Sequence, residues 1–161
     1  MDDILEVLSK DARITPREIA RLTGRKVGDV QKAIRRYEKD GVIVKYNTVI
    51  NHDIIRDANS FVRALIEVSV EPEKDVGFDH VAERIYSFPE VVSCYLLSGT
   101  YDLLVIVEGD NIQAVSNFIA SKLSSMAHVR QTTTHFLLKK YKEDGHIFKK
   151  GRRSKRLSIS Y

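Results

Sequence analysis

Apolar residues recur at helical spacing in three short segments near the start of the chain, and turn-forming residues separate these segments. The second segment begins with a capping box, because Thr15 can cap the helix and Glu18 can return a hydrogen bond to it. Pro16 suits the first helical position, and Gly24 suits the helix end. Apolar residues line the first two segments: Ile4, Leu5, Leu8, Ile19 and Leu22.

The third segment predicts an amphipathic helix over about residues 25–40 that is basic on its outer side. Its apolar face is formed by Val27, Val30, Ile34 and Tyr37. Its polar face carries Asp29, Gln31, Lys32, Arg35 and Arg36. Gly41 ends the helix, and the β-branched stretch over residues 42–50 predicts a ribbon. Three helices followed by a ribbon describe a winged helix-turn-helix, which places one helix in the DNA major groove.

The second half of the chain alternates between strand and helix patterns. Residues 61–71 predict a strand with Val62, Ala64, Ile66, Val68 and Val70 on one face. A helix over 78–88, strands over 91–97 and 103–107, a helix over 110–126 and a strand over 129–141 follow, with Asp110 and Gln113 as a second capping box. This order is βαββαβ, a ferredoxin-like sandwich.

The fold class predicted from these patterns is α+β, with an N-terminal winged helix-turn-helix domain followed by a ferredoxin-like βαββαβ domain. The expected boundaries are 1–50 for the DNA-binding domain, 51–60 for a linker, 61–141 for the second domain and 142–161 for a basic tail.

The strands of the second domain carry apolar residues on both faces, whereas two helices cover only one. Phe61, Leu65, Leu97, Leu103 and Val105 are expected to need cover on the second face. A large open apolar face is unusual for a monomer, so the pattern predicts a homodimer formed by two such sheets packed face to face. The alternative is that the linker or the tail covers this face.

The composition excludes several classes of protein. Apolar residues make up 43% of the 161 residues, which is enough for a packed core. No apolar run approaches the roughly 20 residues that span a bilayer, and the acidic start does not resemble a secretion signal. We therefore expect a cytoplasmic protein without a membrane partner. The lone Cys94 is expected to be a small core residue rather than a reactive thiol.

Charge is unevenly distributed along the chain. Residues 1–60 hold 12 Lys and Arg against 10 Asp and Glu, residues 61–141 hold 7 against 10, and residues 142–161 hold 7 against 2. A basic N-terminal part followed by an acidic middle part is the charge pattern expected for a DNA-binding domain joined to a domain that does not bind DNA. The basic tail is either a solubilising end or an arm that contacts phosphates.

Side chains on and near the third helix are the candidates for DNA contact. Gln31, Lys32 and Arg35 are residue types that pair with base edges. The candidates for phosphate contact are Arg25, Lys26, Arg36 and, in the wing, Lys45. The plainer interpretation of such a helix is a solvated face, but the helices before it and the ribbon after it favour double-stranded DNA as the partner.

Taken together, the chain resembles the Lrp/AsnC family of transcription regulators over about residues 1–141. The resemblance is carried by Thr15 to Ala20, by Val30 to Ile43, and most specifically by Gly99-Thr100-Tyr101-Asp102-Leu103-Leu104 at the second hairpin. It implies a sequence-specific DNA-binding regulator whose C-terminal domains dimerise and often assemble into octamers. It also implies an amino-acid effector bound between C-terminal domains of neighbouring dimers.

The resemblance assigns an effector site residue by residue. Gly99, Thr100, Tyr101 and Asp102 match the family's effector loop, and Thr132 and Thr134 match positions on the last strand that line the same pocket. A glycine turn can offer backbone N–H groups to a carboxylate, and an aspartate can face an ammonium group. The alternative is an ordinary hairpin turn in which the aspartate accepts hydrogen bonds from loop amides.

The chain also departs from the family pattern. Val27-Gly28-Asp29 stands where relatives usually have Ser or Thr, and Ala33 and Tyr37 replace a basic residue and a leucine. The base preference of relatives therefore does not transfer to this chain. The basic tail is not explained by the family pattern.

Two alternative functions could use the same layout of domains. Siroheme decarboxylases share this layout, but the five histidines are scattered without metal-ligand spacing, and only His128 and His135 bracket one strand. No catalytic residue, metal site or cofactor is expected. An architectural DNA-binding protein without an effector would use the same N-terminal domain without sequence preference. Its ratio of specific to nonspecific DNA affinity would distinguish it from a regulator.

Overall fold

The computed structural model describes residues 2–51, 61–72 and 77–148, which form two compact units divided after Ile50. Most of the predicted linker, residues 52–60, and the end of the predicted tail, residues 149–161, lie outside the described residues.

The first unit consists of three helices, α1 (Asp3–Lys10), α2 (Pro16–Thr23) and α3 (Val27–Lys39). The predicted capping box is present, since the Glu18 amide donates to Thr15 Oγ1 and the Thr15 amide donates to the Glu18 carboxylate at 2.9 Å. The Thr15 hydroxyl and then the Thr15 amide hold the pKa of Glu18 below its usual range. Gly24 ends α2 with a φ of 69°, in the left-handed region that glycine adopts readily.

The core of the first unit is small and lies between the three helices. Ile4, Ile19, Ala20 and Val30 form it. The prediction that Val27 faces the core is wrong, because the residue is 39% exposed, and Leu22 on the predicted apolar side of α2 is 61% exposed. In helices this short, the four buried residues are enough to fill the small core. The apolar residues at flanking positions, Leu22 and Val27, therefore remain exposed to solvent.

The ribbon predicted over residues 42–50 is absent, because this described segment contains no strand. A single extended segment needs a neighbouring strand for its N–H and C=O groups, and composition alone does not supply one. The segment is held at its start by the Ile43 amide, which donates to the Tyr37 carbonyl at 3.0 Å. The Tyr46 hydroxyl then donates to the Glu38 carboxylate at 2.9 Å.

The second unit contains the predicted βαββαβ order. Its elements are β1 (Val62–Val70), α4 (Asp79–Tyr86), β2 (Val91–Leu96), β3 (Leu103–Gly109), α5 (Ile112–Phe118) and β4 (Val129–Phe136). The four strands pair antiparallel in the order β2-β3-β1-β4. The start of β3 follows β2 through the short hairpin expected from the sequence.

The helices cover the face of the sheet that β1 was predicted to bury. Ala64, Ile66 and Val68 are fully buried there and lie opposite Val107, Val105 and Leu103 of β3. The prediction that Leu103 and Val105 need cover on the second face is therefore wrong. Five apolar residues in a row give no alternation, so the sequence did not show which of them face the helices.

The second sheet face, called here the open face, carries a mixture of apolar and polar residues. The register places Leu65 opposite Ile106, Glu67 opposite Leu104, and Tyr95 opposite Leu104 from the other side. Leu65, Leu104 and Ile106 are partly exposed, and Tyr95 is half exposed. No helix of the second unit covers these residues in the part of the chain that the structure describes.

The helix predicted over residues 110–126 starts later and changes its winding. The cap is Asn111 rather than Asp110, because the Ala114 amide donates to the Asn111 side chain at 2.8 Å. After α5 the chain makes a π-helical turn over Ile119–Leu123. The extra residue in this turn brings Phe118 and Leu123 to the same buried side.

The first residues of the predicted tail fold as a hairpin, β5 (Lys142–Glu143) paired with β6 (His146–Ile147). Asp144 and Gly145 both have positive φ, 47° and 82°, as a two-residue turn of this kind requires. Arg63 of β1 forms ion pairs with Glu108 and Glu143, which fixes the hairpin to β1. The Lys140 ammonium, followed by Arg63, holds the pKa of Glu143 below its usual range.

Candidate nucleic-acid interface and effector loop

The outer face of α3 presents the predicted DNA-contacting residues together. Val30 and Tyr37 are buried on the inner side of the helix, which fixes its rotation about its axis. The side chains on the opposite side are all exposed: Gln31, Lys32, Arg35 and Arg36. Amide and guanidinium groups held on one face of a helix can donate to base edges and to phosphates.

Three of the predicted phosphate contacts lie on or beside this face. The Arg36 guanidinium stacks 5.3 Å from the centroid of the Tyr37 ring, which orients the charge while leaving it exposed. Lys26 is exposed at the N-terminal cap position of α3, where no side chain caps the helix. Lys45 is exposed in the extended segment after α3.

Arg25 has partners within its own unit that the sequence did not indicate. Its guanidinium pairs with Asp3 at 2.5 Å and with Asp2 at 3.3 Å, both at the start of α1. The Ile4 amide, followed by the Tyr37 and Asp3 side chains and the Arg25 charge, holds the pKa of Asp2 below its usual range. Arg25 thus links the turn between α2 and α3 to α1.

We expect Arg25→Ala to lower the stability of the first unit more than its affinity for DNA. The side chains of this group are between about a quarter and a half exposed, so the loss should be about 0.5–1 kcal/mol. Urea unfolding of the full chain measures it, with Arg21→Ala on the exposed side of α2 as the control. An Arg25→Ala chain as stable as the control but weaker on DNA would restore Arg25 to phosphate contact.

The loop between β2 and β3 is fastened to the sheet at Asp102. The Asp102 amide donates to the Val68 carbonyl at 3.1 Å, and the Leu97 amide donates to the Asp102 carbonyl at 2.8 Å. The Asp102 carboxylate also accepts a hydrogen bond from the Val70 amide at 2.9 Å. One carboxylate oxygen is therefore engaged within the fold, by an amide of β1 rather than by the loop amides that the plainer interpretation expected.

Gly99 lies in this loop but does not have the conformation for which glycine is usually needed. Its φ is outside the left-handed region, and a Cβ added there would meet no atom within 4 Å. The turn itself therefore does not require glycine. Thr100 beside it is exposed, and Tyr101 is partly exposed.

The two predicted threonines lie on the helix-covered side of β4, near the same end of the sheet. Thr132 pairs with Val68 and Thr134 pairs with Ile66. Asp102 contacts β1 at Val68 from the β3 side, whereas Thr132 lies on β4, on the other side of β1. Asp102 and Thr132 are therefore two strand spacings apart, about 10 Å. Thr132 Oγ1 also lies 3.0 Å from the hydroxyl of Ser124, a neighbour that the sequence analysis did not identify.

Among the described residues, no group of three or more His, Cys, Asp or Glu side chains could hold a metal ion. His128 directly precedes β4 and His135 lies near its end, so the strand separates them by about 20 Å. The His135 ring lies 3.2 Å from the Glu67 carboxylate on the open face. Cys94 packs against the core as expected, and burial raises the pKa of its thiol. Among the described residues, no helix is long and apolar enough to cross a membrane.

Models of two protein families match the chain. Residues 63–147 match the Lrp/AsnC ligand binding domain, and residues 3–44 match a winged helix-turn-helix DNA-binding domain. The first match includes the β5–β6 hairpin.

Curated relatives and solved structures match along most of the chain. The uncharacterised HTH-type transcriptional regulator YugG of Bacillus subtilis is 44% identical over 98% of this chain and 95% of its own length. The transcriptional regulator NMB0573 of Neisseria meningitidis, solved with L-Met, has a TM-score of 0.67 at 26% identity, covering 88% of this chain and 89% of that one. The Mycobacterium tuberculosis leucine response regulatory protein LrpA has a TM-score of 0.70 at 27% identity, covering 91% and 99%.

Proposed function

This chain belongs to the Lrp/AsnC family of DNA-binding transcriptional regulators, and from that premise we propose that α3 is its recognition helix. The observation that carries the proposal is the exposed face of α3, where Gln31, Lys32 and Arg35 share one side. Buried Val30 and Tyr37 hold that face outward. In such helices, residues near the N-terminus contact base edges in the major groove.

Each side chain of this interface has a proposed role. Gln31, Lys32 and Arg35 donate to base edges, because amide, ammonium and guanidinium groups all form hydrogen bonds to acceptors in the major groove. Lys26, Arg36 and Lys45 bind phosphates, which fixes the position of the helix without selecting a sequence. Arg25 acts on α3 through its ion pairs with α1.

We propose that a second copy of this chain covers the open face of the sheet. Leu65, Leu104 and Ile106 form the apolar centre of this face, and the Arg63–Glu108 pair lies at one end. Two such faces are self-complementary about a twofold axis, as a homodimer requires. A dimer presents two recognition helices to half-sites separated by about one helical turn or a multiple of it.

We propose that an amino acid binds at the loop formed by Gly99, Thr100, Tyr101 and Asp102, beside Thr132 and Thr134. Gly99 leaves open space where a side chain would stand, although the backbone does not need glycine. The second oxygen of the Asp102 carboxylate can face an ammonium group, and exposed loop amides can face a carboxylate. The complex of NMB0573 with L-Met shows an amino acid bound to a relative of this fold.

Selection of genomic fragments by the purified full chain, repeated with each of the twenty amino acids, tests these proposals together. A regulator should retain a small set of fragments on the order of a thousandfold more tightly than random duplex. An effector should change the selected set or its affinity. Uniform retention of all fragments would instead support an architectural protein.

We expect Asp102→Asn to abolish the response to the effector while the loop keeps its fold. The asparagine carbonyl can still accept the Val70 hydrogen bond, but it carries no charge for an ammonium group. The ligand-induced rise in the unfolding midpoint, measured for the amino acid found in the selection, should disappear. Asp102→Ala is a poorer test, because it also removes the contact with β1.

The matched control is Asn111→Asp, which introduces a carboxylate at the cap of α5 and preserves an acceptor for the Ala114 amide. This variant should respond to the effector like the wild type. A full response in Asp102→Asn would remove the charge of Asp102 from the effector site.

A further inference from the structure

Gly28 is the second residue of α3 and has no role in the fold that requires glycine. Its backbone is helical, unlike Gly24 and Gly41, whose φ values are 69° and 70°. A Cβ built on Gly28 would meet no atom within 4 Å. An alanine would therefore fit without displacing any described neighbour.

Gly28 lies on the recognition face of α3. Gln31, Lys32 and Arg35 follow it by three, four and seven residues, which is the spacing of one helix face. Val30 and Tyr37, which lie on the opposite side, are buried. The glycine therefore stands at the N-terminal end of the row of side chains proposed to contact bases.

The first turn of α3 lacks the side-chain cap that three other helices of this chain have, although Asp29 supplies an acidic side chain there. Side chains of Asp2, Thr15 and Asn111 cap α1, α2 and α5, whereas no side chain caps α3 or α4. Glycine inside a helix is unfavourable relative to alanine, because more backbone freedom is lost on folding. Among the described residues of the first unit, no contact requires glycine at this position.

We propose that Gly28 is a specificity-determining position, at which the backbone of α3 approaches the duplex too closely for a side chain. The major groove is about 12 Å wide, and a helix with its side chains is about 10–12 Å across, so little clearance remains. Removing one side chain at the leading end of the face brings Gln31 and Arg35 deeper toward the base edges. This inference rests on the proposed role of α3 in DNA recognition.

The test compares the full-length wild type with Gly28→Ala and Gly28→Leu on two duplexes of equal length. One is the genomic fragment most strongly retained by the wild type, and the other has a random sequence. We expect Gly28→Ala to bind the selected fragment at least tenfold more weakly and Gly28→Leu at least a hundredfold more weakly. Binding to the random duplex should change less than threefold, and neither variant should unfold at a lower temperature than the wild type.

Ser9→Ala is the control, because it places alanine on an exposed side of α1, in the same unit but on another helix. It should bind both duplexes like the wild type. Binding of the selected fragment within threefold of the wild type by both Gly28 variants would overturn the inference, as would a lower unfolding temperature for Gly28→Ala. A wild type without any preferred fragment would instead overturn the proposed function itself.

Discussion

Replacing Ile106 by lysine should separate the protein into single chains and weaken its binding to operator DNA about a hundredfold. Ile106 lies at the centre of the open face, opposite Leu65 on one side and Ser93 on the other. An ammonium group buried between two packed sheets would lose most of its water, which costs free energy that an apolar side chain does not lose. Loss of the second DNA-binding domain removes the gain in affinity from bivalent binding, which is commonly 10²–10⁴-fold.

Sedimentation velocity measures the assembly of this variant, and a mobility-shift titration measures its binding. Ile112→Lys is the matched control, because Ile112 is 58% exposed at the start of α5 on the helix side of the sheet. That control should assemble and bind like the wild type. If Ile106→Lys is folded by circular dichroism and still dimeric, the second copy does not occupy the open face.

Replacing Arg35 by alanine should relax the preference at one base position and cost about 1–3 kcal/mol of binding free energy on the preferred sequence. Arg35 is exposed on the outer face of α3. Within the described residues it has no ion pair, so its loss should not disturb the fold. The remaining side chains would hold the helix in the groove with one fewer base contact.

Lys45→Ala is the companion variant that separates base contact from phosphate contact. It should weaken all sequences alike and reduce the slope of log affinity against log salt by about 1. Selection from a randomised operator library distinguishes the two variants directly. If Lys45→Ala changes the preferred base, or Arg35→Ala weakens all sequences equally, the two roles are wrongly assigned.

The sequence predicted the buried face of a strand correctly where charged residues mark the opposite face. In β1, Arg63 and Glu67 alternate with apolar residues, so the buried face was correctly identified as Ala64, Ile66 and Val68. In β3, five consecutive apolar residues left the face undetermined, and the assignment of Leu103 and Val105 was wrong. The π-helical turn after α5 has no sequence periodicity that would indicate it.

For the candidate sites, the sequence predicted features that lie within one segment but not contacts between residues far apart in the chain. The outer face of α3 follows from helical spacing within one segment, and the structure places its polar residues there together. The partners of Arg25 are 22 and 23 residues away in the sequence, and Val70 is 32 residues from Asp102. Contacts at such separations depend on tertiary packing. The β5–β6 hairpin, by contrast, carried an Asp-Gly turn signal that could have been recognised.

The ion pairs of Arg63 determine where the chain can be shortened so that loss of basic charge is not confused with loss of the hairpin contact. Deletion from residue 149 onward removes six Lys and Arg residues and leaves the hairpin with its Glu143 contact intact. Deletion from residue 142 onward removes Glu143 as well, so Arg63 retains only Glu108. Only the first deletion isolates the electrostatic contribution of the terminal segment from the architecture of the sheet.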